Sequence, residues 1–153
     1  LLDWDTAQQI PWGMLILFGA GLSIAAAFTT SGLSETIGAL LGGLSALPIA
    51  AIILAICLTV TFLTETTSNT ATATLLIPIL AAAAIGAAID PKLFMIPAAM
   101  SASCAFMLPV ATAPNVIVFS TGRFSIETMA KEGIALNVLG ALIITSVCFL
   151  LLA

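Results

Sequence analysis

The sequence predicts an all-α membrane protein containing a re-entrant helical hairpin and a discontinuous transmembrane helix. Three observations carry that expectation. Of the 153 residues, 61% are hydrophobic and 7% are charged, where a soluble domain carries about a quarter charged residues. A polar block, Thr64-Glu-Thr-Thr-Ser-Asn-Thr-Ala-Thr-Ala-Thr74, separates two uncharged arms, 46–63 and 75–89. Finally, Pro109-Val-Ala-Thr-Ala-Pro114-Asn115 interrupts an apolar stretch, 91–122, that exceeds the ~20 residues needed to cross a bilayer.

The chain opens on Leu1, without an initiator Met or a signal-like start, and reads as part of a larger protein. Residues 1–11 form an interfacial lead-in: Trp4 and Trp12 suit the headgroup boundary, and Pro11 suits a first helical turn. The first span runs from Gly13 to Phe28 and is broken by Thr29–Gly32. Residues 33–44 are too short to cross and fit a helix along the interface, with Glu35 toward water. Within it, Gly38 and Gly42 make a small-xxx-small pair that serves ordinary packing as well as an oligomer contact.

Ser45 and Pro48 open the first hairpin arm. A turn between soluble helices carries Gly, Pro or charge, whereas this tip is rich in hydroxyls and amides, with Asn69 at its middle and Glu65 its only acid. Polar backbone at membrane depth is tolerated only where protein buries it or it lines a cavity. A re-entrant tip that binds a small ligand follows; two complete spans joined by an ordinary polar loop are the alternative. The second arm, with Ala81–Ala84 and Gly86-Ala87-Ala88, favours close backbone packing. Asp90-Pro91-Lys92 then opens the next helix. Its two prolines, 109 and 114, remove donors and disfavour helix before them, producing an unwound break, or failing that a soft kink. After Arg123, a polar connection over Ser125–Glu132 leads to the last span, 133–153, which has no charge.

Arg123 and Lys131 on one side against Lys92 on the other put the N-terminus in the cytoplasm and the C-terminus outside. Loop charge does not separate a re-entrant hairpin from two full spans. Histidine and tyrosine are absent, which excludes His triads, imidazole metal sites and Tyr acid–base chemistry. Cys57, Cys104 and Cys148 stand singly in apolar runs and read as buried thiols. With three basic residues and a net charge of −4, nucleic acid is excluded as a partner.

If the two breaks face each other, each sets the C-terminal end of one half-helix beside the N-terminal end of the next. The first arm ends near Thr67 and the 91–108 half-helix at Leu108, so their unpaired carbonyls suit a small cation such as sodium. Helices beginning near Asn69–Thr70 and near Asn115 present free N–H groups to a carboxylate or similar oxyanion. Thr64, Thr67, Ser68, Asn69, Thr70 and Thr112 add neutral oxygens and donors, where permanent charge would be expensive. Singly, each hydroxyl is as well read as a helix back-bond. Glu65 reads either as a proton or cation carrier or as the partner of a polar neighbour.

Thr64-Glu-Thr-Thr-Ser-Asn-Thr-Ala-Thr followed by Ala111-Thr-Ala-Pro-Asn115 resembles the divalent anion/sodium symporter family, and within it the bacterial sodium–dicarboxylate transporters. The resemblance covers the whole chain, as the C-terminal half of an inverted-repeat secondary transporter. It implies a second Ser-Asn-Thr hairpin in an N-terminal half, and a homodimer in the cell inner membrane that works as an elevator. Residues 1–44 would belong to the scaffold domain. Residues 45–153 would form part of the transport domain, as hairpin 46–89, broken helix 91–122 and final span 133–153. Ser68, Asn69 and Thr70 would contact a substrate carboxylate, bordered by Thr112 and Pro114. Thr64, Thr67, Asn69 and the Ala111 carbonyl would hold sodium. The implied substrates are C4 dicarboxylates such as succinate, malate and fumarate, extending to citrate, with no covalent chemistry.

Two other classes fit the same pattern: a channel with paired re-entrant elements, and a related permease with another anion or with proton coupling. An intramembrane hydrolase using Ser68 would lack a His or Lys partner.

Overall fold

The computed structural model describes residues 3–10, 12–33, 36 and 47–152. Pro11, Ser45 and most of the interfacial segment 33–44, including Glu35, Gly38 and Gly42, lie outside the described residues. Those described form seven α-helices and no strand: α1 (Trp4–Gln8), α2 (Trp12–Thr30), α3 (Ile49–Thr64), α4 (Asn69–Gly86), α5 (Lys92–Ser101), α6 (Ala113–Ser120) and α7 (Ile126–Leu152).

Local chemistry accounts for the helix ends. Asp3 caps α1 by accepting the Thr6 N–H at 2.8 Å, a bond that lowers its carboxyl pKa. The Trp12 indole donates to the Ala7 carbonyl at 2.8 Å, pinning the lead-in to α2. Pro48, extended at φ −61°, precedes the first turn of α3 and has no N–H to leave unpaired there. At the far end of α4, the Ile89 N–H reaches the Ala84 carbonyl at 2.9 Å across Ala88, which sits in the left-handed region at φ 56°. This is a Schellman-type stop with alanine where glycine is usual.

Two predicted boundaries are corrected. The final helix begins at Ile126 rather than Gly133, so the polar 125–132 segment is its first two turns. Ser125 Oγ accepts the Thr128 N–H at 3.1 Å, and Glu127 lies in the first turn, where the helix dipole favours an acid. The half-helix after Pro91 stops at Ser101, not Leu108. The break therefore spans 102–112, because the amides of Phe106, Met107 and Leu108 are drawn out of helical bonding by the Glu65 carboxylate.

Helices α3, α5 and α7 pack on one another, and α4 packs on α5 and on α2. The hairpin arms α3 and α4 touch little beyond their tip, since α5 wedges between them. The core joins Ile53 and Cys57 of α3, Ala84 of α4, Leu93 and Phe94 of α5, and Ala141, Ile144 and Cys148 of α7. All three cysteines are free thiols; Cys57 and Cys148 are buried and Cys104 is half-buried.

On α7 the buried face is mostly small or polar (Gly133, Asn137, Ala141, Thr145 and Cys148, with Ile144 the one large apolar residue), while Leu136, Leu139, Ile143 and Leu150 stand exposed. Water does not tolerate that distribution and lipid does. Two described helices, α4 with 18 residues and α7 with 27, are long and apolar enough to cross a membrane. Close approach between helices depends on missing side-chain atoms. Pro78 of α4 has no N–H for the Thr74 carbonyl, and a Cβ added to Gly21 of α2 would lie 2.7 Å from that oxygen.

Gly133 shows the same economy where the break crosses α7. A Cβ there would lie 2.5 Å from the Phe106 carbonyl oxygen and 2.6 Å from the Met107 Cα. Gly133→Ala in the intact protein is expected to force the break off α7 and lower stability by roughly 1–3 kcal/mol. A detergent melting curve identical to the parent's would refute that packing.

Candidate functional site

The tip begins where α3 runs out at Thr64. Glu65, Thr66 and Thr67 turn the chain, and extended Ser68 (ψ 131°) starts α4 without a side-chain capping bond. Thr67 Oγ1 donates to the Leu63 carbonyl at 2.9 Å and lies 2.5 Å from Thr72 Oγ1. The turn is thus held by its own hydroxyls, while the Ser68 side chain stands exposed.

On the second break, Thr112 is the extended N-cap of α6, and its hydroxyl accepts the Asn115 N–H at 3.4 Å. The helix begins at Ala113, two residues before the predicted Asn115. Asn115 has a different task. Its side-chain amide donates to the carbonyls of Ala105 and Leu108 at 2.9 and 3.0 Å, folding the loop back on the helix start.

These two interruptions meet. Glu65, Thr66, Thr67, Ser68, Asn69 and Thr70 from the tip, and Val110, Ala111, Thr112 and Ala113 from the break, line one open cavity of about 540 Å³. The N-termini of α4 and α6 both open on it. Of the residues predicted to contact substrate, Ser68, Asn69, Thr70 and Thr112 line this cavity. Pro114 does not; it is exposed in the first turn of α6.

Of the predicted cation ligands, Thr67, Asn69 and Ala111 line the cavity and Thr64 lies behind it, fully buried. Thr64 Oγ1 sits 2.6 Å from Asn69 Oδ1 and 3.0 Å from the Ala102 carbonyl oxygen. One hydroxyl proton thus serves two acceptors. The carbonyl drawn toward the tip is Ala102, not the predicted Leu108, because Leu108 is claimed by Asn115.

Glu65 is only 3% exposed, and its role is the principal feature that sequence reasoning did not resolve. Oε1 accepts the N–H groups of Phe106 and Met107 at 2.7 and 2.9 Å and the Asn137 amide at 2.7 Å; Oε2 accepts the Leu108 N–H at 3.0 Å. All four donors are neutral. The polar neighbour is therefore the second break itself, together with the last helix. Asn137 was hidden inside an uncharged apolar run; a lone carboxamide in a span is the signal that could have marked it.

The family described as the sodium:sulfate symporter transmembrane region matches residues 1–151. The chain is 47% identical over 151 residues to the sodium-dependent dicarboxylate transporter SdcS of Staphylococcus saprophyticus, covering 99% of this chain. It is 45% identical over 149 residues to the Staphylococcus aureus transporter of that name, covering 97% of this chain. In both cases the chain spans 29% of the relative's length. By its match along nearly its whole length, the chain belongs to the sodium:sulfate symporter family, multi-pass membrane proteins that are transporters rather than enzymes.

Proposed function

We propose that the chain forms the C-terminal part of a symporter that couples sodium to the movement of C4 dicarboxylates such as succinate, malate and fumarate. The observation that carries the reading is the convergence of two helix N-termini on one polar cavity, beside a cluster of neutral oxygens. Unpaired N–H groups at the start of α4, together with the Ala113 N–H and the dipole of α6, whose Asn115 N–H is capped by Thr112, attract a carboxylate without a Lys or Arg clamp. Ser68, Asn69, Thr70 and Thr112 supply the donors, and Pro114 presets the first turn of α6.

Sodium fits the oxygen cluster. A cation beside Thr64 Oγ1, Asn69 Oδ1 and the tip carbonyls would relieve the contact in which two acceptors compete for one proton. Thr67 and the Ala111 carbonyl complete the proposed ligand set at the cavity wall. The Thr67 hydroxyl is already bonded within the turn, so its contribution is its main-chain oxygen. Asn69 belongs to both groups: ordering it around sodium orients the helix start that receives the carboxylate. That shared residue is the physical basis of coupling.

In this reading α3 and α4, with 16 and 18 residues, are the arms of a re-entrant hairpin. An N-terminal half of the protein supplies a matching hairpin by inverted repetition. Residues 45–153 move as part of a transport domain against a scaffold that includes residues 1–44. The functional unit is a homodimer working as an elevator in the cell inner membrane. The relatives named for dicarboxylate and sodium dependence support the substrate and ion. The family's sulfate designation makes sulfate the competitor to exclude.

In proteoliposomes holding the intact protein, Asn69→Ala is expected to cut sodium-driven succinate uptake at least tenfold, the effect of losing a charge-assisted bond of ~1.5–3 kcal/mol. Undiminished uptake would remove the tip from the mechanism. Counterflow with succinate, citrate and sulfate in competition tests the substrate class, with succinate expected to compete best; exchange by sulfate alone would replace the dicarboxylate reading.

Glu65→Gln gives a separate prediction. Glutamine keeps one acceptor oxygen and turns an NH₂ toward amides left with no acceptor, a cost of about 1–3 kcal/mol for each buried unsatisfied group. Lowered melting temperature and weakened sodium dependence are expected together. A variant with parental melting and uptake would show that the two breaks hold together without the carboxylate.

A further inference from the structure

Three buried polar atoms among the described residues have no hydrogen-bond partner: Thr61 Oγ1, Ser101 Oγ and Asn137 Oδ1. Each belongs to a residue with 0% exposure. They come from α3, α5 and α7, the three helices that pack on one another, and the interhelical bonds fix their register. Thr64 Oγ1 on the Ala102 carbonyl sets α3 against α5, and Glu65 on the Asn137 amide sets α3 against α7. Ser101 adjoins the first of these bonds and Asn137 makes the second, while Thr61 lies one turn, about 5.4 Å, before Glu65 on the same helix face. The three oxygens thus come from one layer of three mutually packed helices, each within a turn of a bond that holds the hairpin tip.

Their lack of partners is not the habit of hydroxyls in these helices. Thr74 and Thr145 bond back to the carbonyls four residues earlier, both at 2.7 Å. Thr61 and Ser101 forgo that bond. Nor is the Thr61 carbonyl served in the regular way, since the Glu65 N–H goes to the Leu63 carbonyl instead. A buried polar group without a partner needs an explanation, and a bound ion or water is one. Its electrostatic setting indicates which one. The adjacent Glu65 carboxylate is buried and bonded to neutral donors alone. Lys92, Arg123 and Lys131, the chain's basic residues, are all exposed. Buried charge is ordinarily paired with a charge or a metal ion.

We propose that this layer binds a sodium ion distinct from the one at the tip, held by Thr61, Ser101 and Asn137 oxygens and balanced by Glu65. The inference rests on the sodium-coupled reading above, but on different residues. A neutral, all-oxygen ligand set suits a hard monovalent cation rather than a transition metal. Through Glu65, which also holds Phe106–Leu108, such an ion would act on the shape of the second break without touching substrate.

The test compares Thr61→Val, Thr61→Ser and Ser101→Ala in the intact purified protein, parental at the tip and also carrying Asn69→Ala. The readouts are radioactive sodium binding and melting temperature in sodium chloride against choline chloride. Thr61→Val and Ser101→Ala are each expected to remove one bound ion per chain, or to raise half-saturating sodium at least about tenfold for the melting shift. Thr61→Ser is expected to retain the parental response, and the losses are expected in both tip backgrounds. Sodium binding and melting response unchanged in Thr61→Val and Ser101→Ala would overturn the proposal, leaving a buried water or a dry layer. Should Asn69→Ala leave uptake intact while Thr61→Val still loses an ion, the tip reading fails and this one stands.

Discussion

One carboxylate organises the two breaks. Glu65 lies at the C-terminal end of α3, an unfavourable place for an acid by the helix dipole alone, and it is buried besides. It is compensated by four N–H donors, three of them consecutive backbone amides that the break leaves without helical partners. Each side meets the other's need. Unwinding 102–112 exposes donors that must be satisfied in a dry interior, and the tip supplies an acceptor that must not be left unpaired. From that exchange follow the placement of Ala111 and Thr112 opposite Ser68 and Asn69, and hence the cavity itself.

The helices can come close enough to permit this because little stands between them. Gly133 lets the break lie directly on α7, and Gly21 lets α2 approach the Thr74 carbonyl freed by Pro78. Ala82–Ala84, Ala98, Ala102 and Ala141 fill the contacts with small groups. In lipid, where apolar side chains gain nothing by leaving their surroundings, such close packing and internal hydrogen bonds are what hold helices together. Apart from Ile144, the larger side chains accordingly point outward on α7.

The proposed ligand chemistry is neutral throughout: helix-terminal amides, hydroxyls, a carboxamide and carbonyls. Transport requires release as well as capture, and partial charges at helix ends attract an anion less tightly than a buried guanidinium would. The arrangement also separates tasks. Ser68, Asn69 and Thr112 face the cavity, whereas Glu65 and Asn115 hold the backbone of the second break and Asn137 holds the Glu65 carboxylate.

What could be read from the sequence alone rested on local signals. Composition identifies a membrane protein because a chain with this little charge cannot clothe a soluble surface. Paired prolines and the Ser-Asn-Thr tip mark the breaks because missing donors and competing hydroxyls act within a few residues. The concentration of neutral hydroxyls and amides at the tip was legible for the same reason. The extent of the second break was not, since Ser101 ends its helix through a carboxylate some forty positions earlier. The partner of Glu65 was equally out of reach: Asn137 is 72 residues away along the chain, and nothing in its apolar run says which way it faces. Likewise Pro114, grouped with the site by motif, turns outward, while Ala102, in no motif, brings its carbonyl to Thr64. Local sequence determined that the chain breaks at the tip and at the paired prolines; only the packing of α3, α5 and α7 decided how far the second break extends and which groups meet there, because those contacts are set by register between distant segments.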